Sequence, residues 1–184
     1  LGPSPSFTEI HIIEAIELIG SEGPIGRLKL SRRLKLGEGS ARTILKHLKA
    51  MGLVEGAKQG YTLARRGRKL YSLLRGRVFG PLKIPDTRLS FGKYSVAFLV
   101  KKALEGVRFG LEQRDAAVRV GGLGAITLSF REGKLTIPGV EEDYGDAVAE
   151  VEKHVRSRFP LEEGDSVIIG VGEEERGAEI AAKA

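Results

Sequence analysis

The sequence predicts an α+β protein of two domains: a basic, helix-rich N-terminal domain, then an acidic domain in which strands and helices alternate. Three observations carry this. Up to Met51 apolar residues recur at helical spacing, whereas from Ser95 onward short continuous apolar runs alternate with helical stretches. The first 93 residues hold 18 basic and 7 acidic side chains, net +11, and the rest hold 12 against 17, net −5. Between the two, Arg75-Gly76-Arg77, Gly80-Pro81 and Pro85-Asp86 break regular structure. The expected domains are residues 1–78 and 91–184, with a linker at 79–90.

Composition removes several function classes. With 41% hydrophobic and 29% charged residues the chain reads as globular, and no apolar run approaches the roughly 20 residues that span a bilayer. Leu1-Gly2-Pro3-Ser4-Pro5 lacks the basic and apolar blocks of a secretory signal, so a cytoplasmic location without a membrane partner is expected. The absence of cysteine excludes disulfides, thiolate nucleophiles and cysteine-based zinc sites. No Asn or Trp, a single Met and many charges point to a thermophilic source.

Element by element, Ser6-Phe7-Thr8-Glu9 fits a capping box, and Ile12, Ile13, Ile16 and Ile19 follow on one helix that Gly20 and Gly23-Pro24 end. A shorter helix runs from about Leu28 to Leu34, with Leu36-Gly37 as the turn. A third runs from about Gly39 to Met51, with Ala41, Ile44, Leu45, Leu48 and Met51 as its apolar stripe. Its other face shows Ser40, Arg42, Thr43, Lys46 and Lys49, with no acid from Ser40 to Met51. A surface helix ordinarily mixes signs, so this face is under a different pressure. Leu53-Val54-Glu55 and Tyr61-Thr62-Leu63 flank a tip, Gly56 to Gly60, and read as a hairpin; Arg65-Arg66-Gly67-Arg68-Lys69 opens a fourth, basic helix.

The stretch Ser40-Ala41-Arg42-Thr43-Ile44-Leu45-Lys46-His47-Leu48, then Met51-Gly52-Leu53-Val54, Gly60-Tyr61-Thr62-Leu63 and Gly67, resembles the recognition helix, turn and wing of prokaryotic MarR- and ArsR-like regulators. The resemblance covers about the first 75 residues and implies a winged helix-turn-helix that binds double-stranded DNA. It implies that Arg42, Thr43 and Lys46 face the major groove, that Ser40 and Lys49 meet phosphates, and that Lys58 and Gln59 at the wing tip meet the backbone. A homodimer on two half-sites follows from the same resemblance.

In the second half, Ser95 to Val100 reads as a buried strand and Glu112 to Val120 as a helix. Ala125 to Phe130 and Leu135 to Ile137 read as strands joined by a tight hairpin. Tyr144, Val148, Val151 and Val155 mark a helix, Ser166 to Val171 is a strand, and Glu173 opens a last helix. The βαββαβ order is that of a ferredoxin-like split βαβ unit. The whole arrangement also resembles an archaeal family in which a winged helix precedes a domain of unknown function. The resemblance rests on Gly110-Leu111-Glu112-Gln113-Arg114-Asp115-Ala116-Ala117 and Gly124-Ala125-Ile126-Thr127-Leu128.

For chemistry, Gly170-Val171-Gly172 before a helix suggests a phosphate-cradling turn, but Glu173, Glu174 and Glu175 at the helix start would repel a phosphate. Glu112, Gln113, Arg114 and Asp115 offer both signs and an amide at a helix start, and are the candidate site for a small-molecule effector. His11, His47 and His154 show no metal-ligand spacing. The expected function is a DNA-binding transcriptional regulator, not an enzyme, with no cofactor, whose C-terminal domain senses a ligand or dimerises. The alternatives are an enzyme with an appended winged helix, as archaeal CTP-dependent riboflavin kinases can have, and an RNA- or protein-binding adaptor.

Overall fold

The structure, a computed structural model, describes residues 7–140 and 144–184. It divides into two compact units, Leu1–Arg75 and Gly76–Ala184. No helix among the described residues is long and apolar enough to cross a membrane.

The first unit runs α1 (Glu9–Glu22), α2 (Arg27–Leu34), α3 (Glu38–Ala50), β1 (Val54–Ala57), β2 (Gly60–Leu63) and α4 (Arg65–Arg77, its end passing into the second unit). Ser6, expected as the first helix cap, lies outside the described residues. The cap seen is Thr8, whose backbone N–H donates to His11 Nδ1 at 3.1 Å. Ile16, Ile19, Ile25, Leu30, Leu34, Ile44, Leu45 and Leu48 close one core, each such burial contributing about 1.5–3 kcal/mol. The turn between α2 and α3 is made at Lys35, which is left-handed at φ 54°, one residue before the expected Leu36-Gly37. The buried Ser31 pins that turn by donating its hydroxyl to the Leu36 carbonyl at 2.7 Å.

β1 and β2 form an antiparallel hairpin with Lys58-Gln59 as its two-residue tip, and Ile25, between α1 and α2, bridges to Tyr61 as a third, one-residue strand. Two glycines make this possible by close approach. A Cβ on Gly60 would lie 2.4 Å from the Ile25 carbonyl carbon, and one on Gly67 would lie 2.0 Å from the Leu53 oxygen, where α4 seats on the turn after α3. Helices, hairpin and following helix thus come in the order that the winged-helix expectation requires.

The second unit runs β3 (Val78–Ile84), β4 (Tyr94–Val100), α5 (Leu111–Arg119), β5 (Gly124–Arg131), β6 (Lys134–Thr136), α6 (Gly145–Arg156), β7 (Ser166–Gly172) and α7 (Glu175–Lys183). Among the described residues these strands make one antiparallel sheet, ordered β3-β4-β7-β5-β6. β4 and β7 are central and covered on both faces, which is why they read as continuous apolar runs. Ala97, Leu99, Val167 and Ile169 pack with Val148, Val151 and Val155 of α6. On the opposite face Val96 and Phe98 pack with Ala178 and Ala182 of α7, and Ile168 packs with Ala117 of α5 and Ala181 of α7. The alternation is the two-residue period of a strand.

The α+β class and the βαββαβ succession are as the sequence predicts, but the layout departs from a ferredoxin-like one. In that fold the hairpin partner of the second strand lies between the two strands of the first βαβ unit; here the last strand, β7, lies between β4 and β5, and the helices take both faces. The expected linker at 79–90 is also half structured, since β3 pairs with β4. Gly80-Pro81 marks an irregularity in register between Phe79 and Leu82, and as β3 is an edge strand the proline removes no ladder bond the sheet needs. The expected tight hairpin is the β5–β6 turn, Glu132-Gly133, with both residues at positive φ.

Gly170 and Gly172, which suggested a phosphate turn, serve packing. A Cβ on Gly170 would lie 2.2 Å from the Ala178 oxygen, and one on Gly172 2.7 Å from the Ala178 nitrogen, so α7 lies directly against β7. A buried ion pair anchors the other end of the sheet. Asp165, fully buried, accepts from Lys101 Nζ at 2.8 Å and from the backbone N–H groups of Glu162 and Lys102. Lys101 also donates to Glu162 and to the Pro160 carbonyl.

Candidate nucleic-acid interface

Helix α3 is amphipathic, and its packing decides what it displays. Ala41, Ile44, Leu45 and Leu48 are buried, which turns Arg42, Lys46 and Lys49 to solvent. Spacings of four and three residues bring these three cations onto one face. Thr43 is half-buried and donates its hydroxyl to the Gly39 carbonyl at 3.0 Å, so its proton is committed to its own helix. Ser40 is half-buried at the same end. Lys58 and Gln59 are exposed at the hairpin tip.

The other basic residues of the first unit are partly absorbed internally. Glu22 of α1 takes both Lys29, at 2.8 Å, and Arg33 of α2. Hydrogen bonding from Lys29, with the added charge of Arg33, holds the Glu22 carboxyl below the usual carboxylate range. Arg27 meets Glu38, the acid that opens α3, and Arg68 meets Glu55. Arg42, Lys46, Lys49 and Lys58 have no such partner among the described residues. The positive charge that remains uncompensated therefore includes one face of α3 and the hairpin tip. Such a face attracts a polyanion, and long cationic side chains on a helix fit phosphate or guanine edges.

Sequence reading did not single out Arg32 and Lys35, which are exposed around the α2–α3 turn and equally without an acidic partner among the described residues. Their signal was charge alone, and nothing local separates them from Arg33, which Glu22 takes. The third strand at Ile25 was also missed, because a one-residue bridge has no periodicity to read. His47 is exposed and stands edge-on to the Phe7 ring, with centroids 6.4 Å apart.

In the second unit the residues expected as an effector site all lie in the first turns of α5 and differ in exposure. Glu112, Arg114 and Asp115 are exposed in the first turns of α5, and Arg114 pairs with Asp115 at 3.0 Å. Gln113 is half-buried, with a buried Oε1 that has no partner among the described residues. Arg114 lines a pocket between the start of α5 and β5. No group of acidic or histidine side chains suited to a metal occurs among the described residues.

Comparison with known proteins matches both units to families. A family described as a domain of unknown function, DUF4443, matches residues 91–184, half of the chain. A second, the PH0730-like N-terminal domain, matches residues 12–69. Among solved structures the chain is similar to a hypothetical protein, PH0730, from Pyrococcus horikoshii OT3, at 27% identity and a TM-score of 0.68. That likeness covers 96% of this chain and 89% of the archaeal one. No curated protein matches the chain.

Proposed function

We propose that this chain, which belongs to the DUF4443 family, is a DNA-binding transcriptional regulator that holds duplex DNA with a winged helix at its N-terminal end. The observation that carries this is the face of α3 formed by Arg42, Lys46 and Lys49. It is exposed, of one sign and unpaired among the described residues, on a helix whose opposite side is core. In this reading α3 enters the major groove, Arg42 makes the two-point contact to guanine, and Lys58 of the short wing meets backbone phosphate. Residues 1–78 are the DNA-binding domain and residues 91–184 sense an effector or dimerise. The chain acts as a binding protein in the cytoplasm, as a homodimer on two half-sites.

The test is duplex binding by fluorescence anisotropy across salt concentrations. A dimer that neutralises about 6 phosphates gives a slope of log affinity against log salt near −5. A slope near zero overturns the reading. Preference for structured RNA over duplex DNA in a competition overturns it in favour of an adaptor.

A further inference from the structure

Helix α5 packs one side on the sheet and leaves the other bare. Ala117 is fully buried, in contact with Ala125 and Ala181, whereas Leu111 and Val118 are each 53% exposed. Leu111 and Val118 stand seven residues apart, two helical turns, so they share one row on the outward side of the helix. The bare surface continues beside it. Phe91 and Phe109 are 52% and 64% exposed, and with Leu111 they line one open pocket. Leu123, also exposed, adjoins Phe91: a Cβ on Gly92 would lie 2.6 Å from Leu123, and one on Gly124 would lie 3.3 Å from the Phe91 ring. A fully exposed aromatic side chain offers about 150–250 Å², so the two phenylalanines leave about 200 Å² in water. With the three aliphatic side chains the patch reaches a few hundred Å². That is the size that marks a contact surface, and it can form the apolar centre of an interface burying about 800 Å² on each side.

The charges of the same helix indicate what covers the patch. Glu112 and Arg119 are exposed, and neither has an ion-pair partner among the described residues. They too stand seven residues apart, on the row beside Leu111 and Val118, and about 10 Å of helix keeps them from pairing with each other. Between them Arg114 and Asp115 neutralise one another at 3.0 Å. A second α5 laid antiparallel on the first reverses the order of both rows. Leu111 then meets Val118 of the second copy, and Glu112 meets Arg119 of the second copy. Each contact is made twice, about a two-fold axis that passes close to Asp115.

We propose that a second copy of this chain covers this face, in a two-fold dimer whose α5 helices lie antiparallel. The dimer places apolar row on apolar row and gives each unpaired charge of the flank a partner of opposite sign. It rests on the homodimer reading above and assigns that reading a surface. Its test uses no DNA, so duplex binding and this interface can each fail while the other stands.

Sedimentation equilibrium of the full chain should show a dimer at about 100 μM. A monomer at that concentration overturns the proposal. Glu112→Arg and Arg119→Glu should each weaken the dimer about tenfold, since each turns two attractive contacts into two repulsive ones. The double variant, with both charges exchanged, should recover to within about threefold of the parent. Recovery marks pairing between chains, because the two residues cannot reach each other within one. Single variants that dimerise like the parent, or a double variant no better than the singles, overturn the antiparallel pairing. A second measurement leaves both rows intact. The chain has no cysteine, so Asp115→Cys introduces a lone thiol beside the expected axis, and Lys153→Cys introduces one on α6, across the sheet. Under mild oxidation Asp115→Cys should form a disulfide-linked dimer faster than Lys153→Cys. Equal rates overturn α5 as the interface.

Discussion

The backbone N–H of Ile25 donates to the Tyr61 carbonyl at 2.9 Å, and the N–H of Tyr61 returns the bond to the Ile25 carbonyl at 3.0 Å. This exchanged pair ties the hairpin to the segment between α1 and α2. The orientation of the Lys58-Gln59 tip therefore depends on a residue more than thirty positions earlier in the chain.

Gly60 is where that tie can be broken. It combines φ 137° with a would-be Cβ at 2.4 Å from the Ile25 carbonyl carbon, so Gly60→Ala must push the hairpin away. The expected loss of stability is about 2–4 kcal/mol, read by chemical denaturation. Gly56→Ala, whose Cβ would meet nothing within 4 Å, serves as the control. If both variants unfold alike, the Ile25–Tyr61 pair does not hold the hairpin.

Base reading and phosphate holding should separate between α3 and the wing. Arg42→Ala is expected to lose about 1–3 kcal/mol at a selected duplex and to relax base preference at one position per half-site. Lys58→Ala should weaken every duplex alike and lower the salt slope by about one unit for each phosphate it no longer neutralises. Both side chains are exposed, so melting temperatures should stay near that of the parent. Selected and scrambled duplexes at several salt concentrations make the measurement. Equal weakening on both duplexes by Arg42→Ala counts against base reading by α3.

The Lys101–Asp165 pair predicts how stability responds to alkali. Burial disfavours the Lys101 charge, but the hydrogen bonds and charges of Asp165 and Glu162 outweigh it and hold the Lys101 pKa above its ordinary value. A raised folded-state pKa stabilises fully below the unfolded lysine value, near 10.4, and that contribution falls as pH climbs through the higher folded value. Denaturation midpoints measured from pH 8 upward should show this decline. Lys101→Met, which strands the buried Asp165 carboxylate, should cost about 3–5 kcal/mol at neutral pH and flatten the alkaline decline. A variant with the parental pH profile would show that the pair is not coupled to folding.

Much of this protein is legible in its sequence where the physics is local. The stripe Ala41, Ile44, Leu45 and Leu48 fixes by its period which side of α3 is core, and so which side carries Arg42, Lys46 and Lys49. The runs Ser95 to Val100 and Ser166 to Val171 announce strands buried on both faces, and Glu132-Gly133 announces a two-residue hairpin, because each signal lies within a few residues of its consequence. What only the tertiary structure decided depends on partners far along the chain. Alternation tells that β7 is buried, but not that it enters between β4 and β5, since strand order is chosen by how α5, α6 and α7 share two faces of one sheet. Gly80-Pro81 reads as a linker until β4 offers an edge that tolerates a proline. Glu173, Glu174 and Glu175 argue against a phosphate turn at Gly170, but the packing role of that glycine appears only when Ala178 comes to lie against it. Thr127 reads as one more strand residue. Its unpaired hydroxyl exists only because folding buries it beside the glycine cap of α5, and burial without a partner is a property of the packed chain and not of any segment of it.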